Sequence, residues 1–319
     1  MPNQFDLYTS RTICGDALSV LKDIPDESVQ LCVTSPPYHI GKSYERGSGK
    51  NFDEYVEWIT SSLLLVEAKL KDGGSLCLQV GSHVRNGKLL PLDYVFFPIL
   101  HGLGLTFRNR IIWRYNFGFN AVKRLSGRYE VLLWFTKGED YKFNLDPIRV
   151  PQLYPGKRHS ASKGSKAGKP SGNPKGKNPS DYWEFDGHTA FFGEPVWNIP
   201  NVKANHPEKE ANHPCQFPNE LVERCVLALT DKGDVVIDPF AGTGTTTICA
   251  HMHKRIGIGI EIDPSYARNA AKRLRSAEKG ELPIRRSGQK PRVPKATDKV
   301  ATVPSEWLSE NVRQVNGRG

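Results

Sequence analysis

Val235-Val236-Ile237-Asp238-Pro239-Phe240-Ala241-Gly242-Thr243-Gly244-Thr245-Thr246 is an apolar run, a glycine turn and the opening of a helical pattern. Glycines at such a turn let the backbone approach a ligand closely, and the helix start offers free N–H groups. The helical pattern, Gly244 to Met252, leads into a second apolar run, Ile256 to Ile260, which ends on Glu261. An acid about 20 residues beyond the glycine turn is placed to accept both ribose hydroxyls of a nucleoside. Strand, turn, helix, strand and acid together predict a nucleoside-cofactor site. A dinucleotide site wants a third glycine where Thr247 stands, and a phosphate-binding P-loop wants Gly-Lys-Ser/Thr, which is absent.

The pattern repeats outward from there. Further strands are expected at Thr12–Cys14, Val29–Val33, Ser75–Val80, Arg110–Trp113 and Glu130–Phe135. Helices are expected over Phe52–Lys71, Pro91–Gly102, Pro218–Thr230 and Ser265–Leu274, with a short one from Ala17 to Leu21. Near-continuous apolar strands alternating with helices predict an α/β fold, a mostly parallel sheet with helices on both faces. No internal repeat interrupts it.

Composition bounds the rest. With 319 residues and 38% hydrophobic content, the chain can bury one large or two modest cores, which excludes a disulfide miniprotein and a coiled coil. Lys+Arg 44 against Asp+Glu 34 gives a net charge of +10, a balance suited to polyanionic partners such as nucleic acid. The six cysteines, Cys14, Cys32, Cys77, Cys215, Cys225 and Cys249, lack metal-site spacing and sit mainly in apolar runs. Reduced thiols and no metal are expected. There is no run of eighteen apolar residues and no signal-peptide pattern, so the chain reads as soluble and cytoplasmic, without a membrane partner.

Between Pro147 and Ser180 there is no acid, while Arg149, Lys157, Arg158, Lys163, Lys166, Lys169, Lys175 and Lys177 lie among Gly, Ser and Pro. This basic, flexible insert is followed by Tyr182, Trp183, Phe185, Phe191, Phe192 and Trp197, which can pack it onto the body or contact bases. The expected organisation is 1–146 for the first part of the main domain, 147–211 for the insert, 212–276 for the part bearing the glycine turn, and 277–319 for a basic, disordered tail.

A second motif, Thr34-Ser35-Pro36-Pro37-Tyr38, follows the strand ending at Val33. Two prolines fix φ and donate nothing, so the Ser35 and Pro36 carbonyls can stand as rigid acceptors beside the flat Tyr38 ring. Such acceptors and ring suit a planar base with an exocyclic NH2. Alone, the motif would read equally well as a proline loop with a turn-forming serine.

Together the two motifs resemble those of the amino-methylating DNA methyltransferases, which move a methyl group from S-adenosyl-L-methionine to cytosine N4 or adenine N6. Catalytic motif first, insert next and glycine motif last is similar to the β-class arrangement of that family, from about Thr12 to Leu274. The resemblance implies a Rossmann-like methyltransferase sheet with a target-recognition insert. It implies cofactor contacts at Asp16, Ala17, His213, Phe217, Asn219, Asp238, Phe240, Gly242, Gly244, Thr245 and Glu261, and a catalytic tetrad Ser35, Pro36, Pro37 and Tyr38. Asp16 also reads as a helix N-cap. Double-stranded DNA is the implied partner, with a homodimer left open, in a prokaryotic or phage-type restriction-modification or stand-alone methylation system. DNA contacts are expected from Arg149, Lys157, Arg158, Lys163, Lys166 and Lys169, and a target base flipped out of the duplex.

Ser35 at the first tetrad position resembles the cytosine-N4 enzymes, whereas Ile40-Gly41-Lys42 looks like the loop of β-class adenine enzymes, with His39 in place of Asn. Cytosine is the reading adopted and adenine the alternative. Pro214-Cys215-Gln216 and Glu310-Asn311-Val312 copy motifs of cytosine-C5 methyltransferases, but there the glycine loop precedes the cysteine, and here Cys215 precedes Gly242. A nucleic-acid-binding protein without catalysis and a methyltransferase acting on RNA or protein are the remaining alternatives.

Overall fold

The computed structural model describes residues 5–41, 49–115, 121–152, 154–160, 165–184, 216 and 218–284, the last two of 165–184 as main chain only. They belong to one unit, Met1–Gln289, and the second unit, Lys290–Gly319, lies outside the described residues. In chain order the elements are β1 (Arg11–Cys14), α1 (Ala17–Asp23), β2 (Val29–Thr34), α2 (Phe52–Lys69), β3 (Leu70–Val80), β4 (Ser82–Arg85), β5 (Lys88–Pro91), α3 (Leu92–Gly102), β6 (Thr106–Arg114), β7 (Tyr129–Thr136), β8 (Tyr182–Glu184), α4 (Asn219–Leu229), β9 (Val235–Asp238), α5 (Thr245–Met252), β10 (Ile256–Glu261) and α6 (Pro264–Glu278). All seven expected strands are among them.

Among the described residues one eight-stranded sheet has the order β1-β10-β9-β2-β3-β7-β6-β8. Its pairings are parallel except that β7 runs against both β3 and β6. The strands alternate between two cores, as a sheet covered on both faces requires. In β7, Val131, Leu133 and Phe135 face one core with α1, α2 and α3, while Leu132 and Trp134 face the other with α4 and α5. In β9, Val235 and Ile237 join the first core and Val236 the second.

Helix α2 shows why the sequence folds as it does locally. Asn51 and Glu54 form a reciprocal capping box at its start, and Tyr55, Ile59, Leu63 and Val66 make one buried stripe at helical spacing. Each such fully buried aliphatic side chain contributes roughly 1.5–3 kcal/mol.

Strand order reverses between β9 and β2, which are neighbours at the sheet centre. From β9 the chain steps outward to β10, with β1 lying beyond it, and from β2 it steps the other way to β3. Ligands of open α/β sheets bind beyond the carboxyl ends of the strands at such a point. The glycine turn follows β9 and the Ser-Pro-Pro-Tyr motif follows β2, so the fold sets both motifs there.

Three features differ from the sequence reading. A small hairpin, β4–β5, turns through Asn86 and Gly87, both at positive φ (52° and 75°), a two-residue turn suited to hairpin twist. The insert is not peripheral at its start, because the apolar Ile148 and Val150 are buried, Ile148 in the second core. Its described parts fold back through bridges between Val150 and Lys177 and between Arg158 and Pro170, and Tyr182–Glu184 add to the sheet as β8 beside β6. Finally, α6 continues past Leu274 to Glu278. No helix among the described residues is long and apolar enough to cross a membrane.

Candidate active site

Asp238 ends β9 with no exposed surface. Thr34, at the end of β2, donates to its Oδ1 at 2.7 Å; the Phe240 N–H donates to the same oxygen at 3.0 Å. Thr246, in the first turn of α5, lies 2.9 Å from Oδ2 and 3.2 Å from the Val33 carbonyl. Burial pushes the Asp238 carboxyl up to about 6 against the pull of these donors. The side chain of Asp238, expected at the cofactor site, is buried and ties together the two motifs and the helix.

The glycine turn is built for close approach. Gly242 and Gly244 both adopt positive φ (53° and 78°), where a side chain is strained, and a Cβ on Gly244 would lie 2.9 Å from that of Ala270 in α6. Thr247 occupies the place of the third dinucleotide-site glycine, and the close helix–strand contact is made from the other side. A Cβ on Gly257 would lie 2.4 Å from the Thr247 carbonyl, and one on Gly259 2.5 Å from Thr247 Oγ1. The helix keeps its threonine because the strand gave up two side chains.

Glu261, 9% exposed, accepts the Gly242 N–H on one oxygen and the Asp263 N–H on the other, each at 2.8 Å. Each oxygen keeps a lone pair for a further donor. Burial pushes its carboxyl up, while the two backbone donors pull it down. β1 pairs with β10 so that Cys14 stands opposite Glu261, and the Gly15 N–H donates to the Glu261 carbonyl at 2.9 Å. Asp16 therefore stands next to this acid. It also caps α1, accepting the Ser19 N–H at 3.0 Å, so its cap reading holds. Ala17 and Thr245 are buried at the first turns of α1 and α5, where main-chain N–H groups lack helical partners.

On the other side, the tetrad's main chain is held from α2 and β4. Tyr55 donates to the Pro37 carbonyl at 2.6 Å, and His83 Nδ1 lies 3.3 Å from the Tyr38 carbonyl. Among the described residues no hydrogen bond reaches the Ser35 or Pro36 carbonyl. Ser35 Oγ lies 3.2 Å from the Tyr38 hydroxyl, which lies 3.2 Å from Glu130 Oε2 on β7. Trp58 of α2 meets Phe240 edge to face at 5.3 Å between ring centroids, linking the tetrad's supporting helix to the glycine turn. Tyr55, Trp58, His83 and Glu130 were not picked out in the sequence, because their roles come from strand order rather than from motif spacing.

Of the insert's expected DNA contacts, Arg149 is committed locally, to Asp146 at 2.7 Å and to the Gly176 carbonyl at 3.0 Å. Arg158 donates to the Gly168 carbonyl at 2.8 Å but is exposed, as are Lys157, Lys166 and Lys169. Cys32, Cys77, Cys225 and Cys249 are buried. His213, Cys215, Phe217, Lys163, Lys42, Glu310 and the aromatics from Phe185 to Trp197 lie outside the described residues, as does the side chain of Trp183.

A family model described as DNA methylase matches residues 29–272, a stretch that takes in both motifs. The Type II methyltransferase M.BglII of Bacillus subtilis is 45% identical over 253 residues, 79% of this chain; the match spans 65% of that relative, just under two thirds of it. A candidate DNA modification methylase from Thermus thermophilus, solved in complex with S-adenosyl-L-methionine, superposes with a TM-score of 0.55 at 25% identity, covering 85% of this chain and 97% of that one. The cytosine-N4-specific PvuII DNA methyltransferase superposes with a TM-score of 0.60, covering 86% of this chain and 93% of that one. At 21% identity the likeness is one of fold.

Proposed function

Because the chain belongs to the N6/N4 DNA methylase family, we propose that it moves a methyl group from S-adenosyl-L-methionine to the exocyclic amine of a base flipped out of double-stranded DNA, N4 of cytosine, in a restriction-modification or stand-alone methylation system. One observation carries the reading: the Thr34–Asp238 hydrogen bond sets the amine-binding motif against the nucleoside-binding turn. Neither motif would suffice without the other.

The residues fit the cofactor. Two hydroxyl donors of a ribose match the free lone pairs of Glu261, and Gly242 and Gly244 hold the turn at positive φ, where a side chain would be strained. Asp16 is proposed to meet the adenine amine, and Phe240, Gly242, Gly244, Thr245 and Ala17 to line the cofactor; His213, Phe217 and Asn219 follow from the family resemblance. When bound, the cofactor supplies an electrophilic methyl group on a sulfonium.

The chain's own residues prepare the nucleophile. An exocyclic amine is a poor one because its lone pair is delocalised into the ring. Acceptors at Ser35 and Pro36 would bind its two N–H groups and favour a pyramidal nitrogen. With the Pro37 and Tyr38 carbonyls occupied by Tyr55 and His83, the acceptors left in the motif are the Pro36 carbonyl and, at Ser35, the carbonyl and the side-chain Oγ, and Oγ is the one that Ser35→Ala removes. The Tyr38 ring offsets part of the lost base stacking.

Cytosine is proposed on Ser35. A second reading, adenine N6, is favoured by Ile40-Gly41-Lys42. The exposed Lys157, Arg158, Lys166 and Lys169, with Lys163, are proposed to meet DNA phosphates, which give affinity without sequence preference. Mass spectrometry of nucleosides from duplex DNA incubated with protein and cofactor tests the proposal. N4-methylcytosine is expected; N6-methyladenine would establish the second reading, and C5-methylcytosine would refute both.

A further inference from the structure

Glu130 has no part in the reading above, yet Ser35 and Tyr38 of the tetrad lead to it through hydrogen bonds. Half-buried on the antiparallel β7, it accepts the Tyr38 hydroxyl on Oε2 at 3.2 Å, the Gln79 amide N–H on the same oxygen, and the Tyr115 hydroxyl on Oε1 at 3.4 Å. Gly81 makes the meeting fit, because a Cβ there would lie 2.9 Å from the Tyr38 ring and 3.4 Å from the Glu130 carboxylate.

Proton counting gives this cluster a direction. An ionised carboxylate only accepts, and a phenol has one proton to give. With Glu130 ionised, Tyr38 spends its proton on Glu130 and can only accept from Ser35. Ser35 then spends its own proton on Tyr38, and its Oγ has lone pairs alone to offer a further partner.

We propose that Glu130 is a positioning residue that fixes the hydrogen-bond direction along Ser35, Tyr38 and Glu130, so that Ser35 Oγ accepts from the target amine, and that the same chain takes the proton this amine sheds. The inference rests on the amine-methylation reading. Once the nitrogen has gained its methyl group it is cationic and must lose a proton. Its N–H bond breaks as that proton joins Ser35 Oγ, the Ser35 proton moves to the Tyr38 oxygen, and the Tyr38 proton moves to Glu130. Glu130 ends as a neutral acid and later releases the proton to water. Burial raises the Glu130 carboxyl from its ordinary value against the pull of its three donors, which suits an acceptor. Burial likewise holds the Tyr38 phenol protonated, so the chain passes a proton without resting as phenolate. Tyr38 and Tyr115 are the titratable groups set against Glu130, Gln79 being neutral.

Glu130→Gln separates proton acceptance from anchoring and from hydrogen-bond direction, both of which an amide oxygen facing Tyr38 keeps. The amide keeps an acceptor oxygen for Tyr38 and Gln79, and the Tyr115 hydroxyl can accept from its NH2, so an anchor would be preserved. The inference expects single-turnover methylation to fall by about 100-fold or more, with cofactor and DNA affinities unchanged. Wild-type turnover should rise with pH as Glu130 ionises, and E130Q should lack that limb. Glu130→Asp, which keeps a carboxylate, should retain the limb and recover part of the rate. Ser35→Ala combined with E130Q should be no slower than the slower single variant, as members of one chain should be. Infrared difference titration of the protein alone, wild type minus E130Q, should show a carboxyl band that vanishes as pH rises. E130Q matching wild type in rate and pH profile, or E130D behaving as E130Q does if the latter will not fold, overturns the inference and leaves amine methylation standing. A wild-type protein that methylates no exocyclic amine overturns both.

Discussion

Thr34 Oγ1 donates to the buried Asp238 carboxylate at 2.7 Å, across the pair of central strands whose ends carry the two motifs. Residues 204 apart in sequence are thereby made parts of one site. Thr34→Val keeps the shape and removes the donor, leaving a buried carboxylate short of one partner. A loss of roughly 1–3 kcal/mol is expected in denaturant unfolding, together with weaker cofactor binding and slower turnover. Ser35→Ala, one residue on, should slow turnover while leaving cofactor affinity near normal.

The raised Asp238 carboxyl makes a pH prediction. Its folded value of about 6 lies above the ordinary 3.8, so its protonated form is favoured in the native state. The stability it contributes is then fully present below the unfolded value and is lost as pH rises through the folded one. Asp238→Asn should flatten this dependence. Between pH 4 and pH 7, unfolding free energies of wild type should drop relative to the Asn variant by a figure on the order of 3 kcal/mol. Parallel curves for the two proteins would remove the buried-carboxylate account.

At the glycine turn, Gly242→Val should abolish S-adenosyl-L-methionine binding in calorimetry, since a β-branched residue fits poorly at a φ of 53°. Glu261→Ala should weaken it by roughly 1.5–3 kcal/mol for each lost charged hydrogen bond. Part of that loss should come from the turn itself, which Glu261 holds at Gly242. Unchanged affinity in both variants would contradict the assignment of this turn.

How much of this was legible in the sequence depended on the range of the interaction. All seven expected strands form, because each is a local apolar run, and both motifs lie at strand ends as their flanking patterns predict. The β4–β5 hairpin was written in Asn86-Gly87, a strong short-range turn signal. Thr247 weakened the dinucleotide reading correctly. Its compensation by Gly257 and Gly259 could have been read from the alternating Ile-Gly-Ile-Gly-Ile of β10, whose missing side chains all face one way. Glu130 was not legible at all: its partners come from β3, the turn after β2 and the end of β6, and only the sheet order gathers them.

Those two strand glycines can be tested directly. Gly259→Ala would place a methyl 2.5 Å from Thr247 Oγ1 and 2.8 Å from the Ala241 Cβ. A thermal-unfolding loss of about 1–3 kcal/mol is expected for such overpacking, and Thr247→Ala should restore part of it. No rescue would show that the helix and strand are not in contact there.

For the insert, neutralising Lys163, Lys166 and Lys169 together should weaken binding to all DNA sequences and lower the salt slope by up to about 0.9 per lost phosphate contact. Target preference should survive. An unaltered slope would make the insert a spectator and move DNA recognition to the tail beyond Glu278.

The most direct test of the account is a single-turnover comparison of methyl transfer to duplex DNA by wild type and by Ser35→Ala, Tyr38→Ala and Cys215→Ser, with the modified nucleoside identified in each. The account predicts that the Ser35 and Tyr38 variants bind cofactor normally but transfer methyl groups far more slowly, while the Cys215 variant stays active and yields the same exocyclic N-methyl product. Loss of activity in Cys215→Ser, with activity retained in the other two, would contradict it.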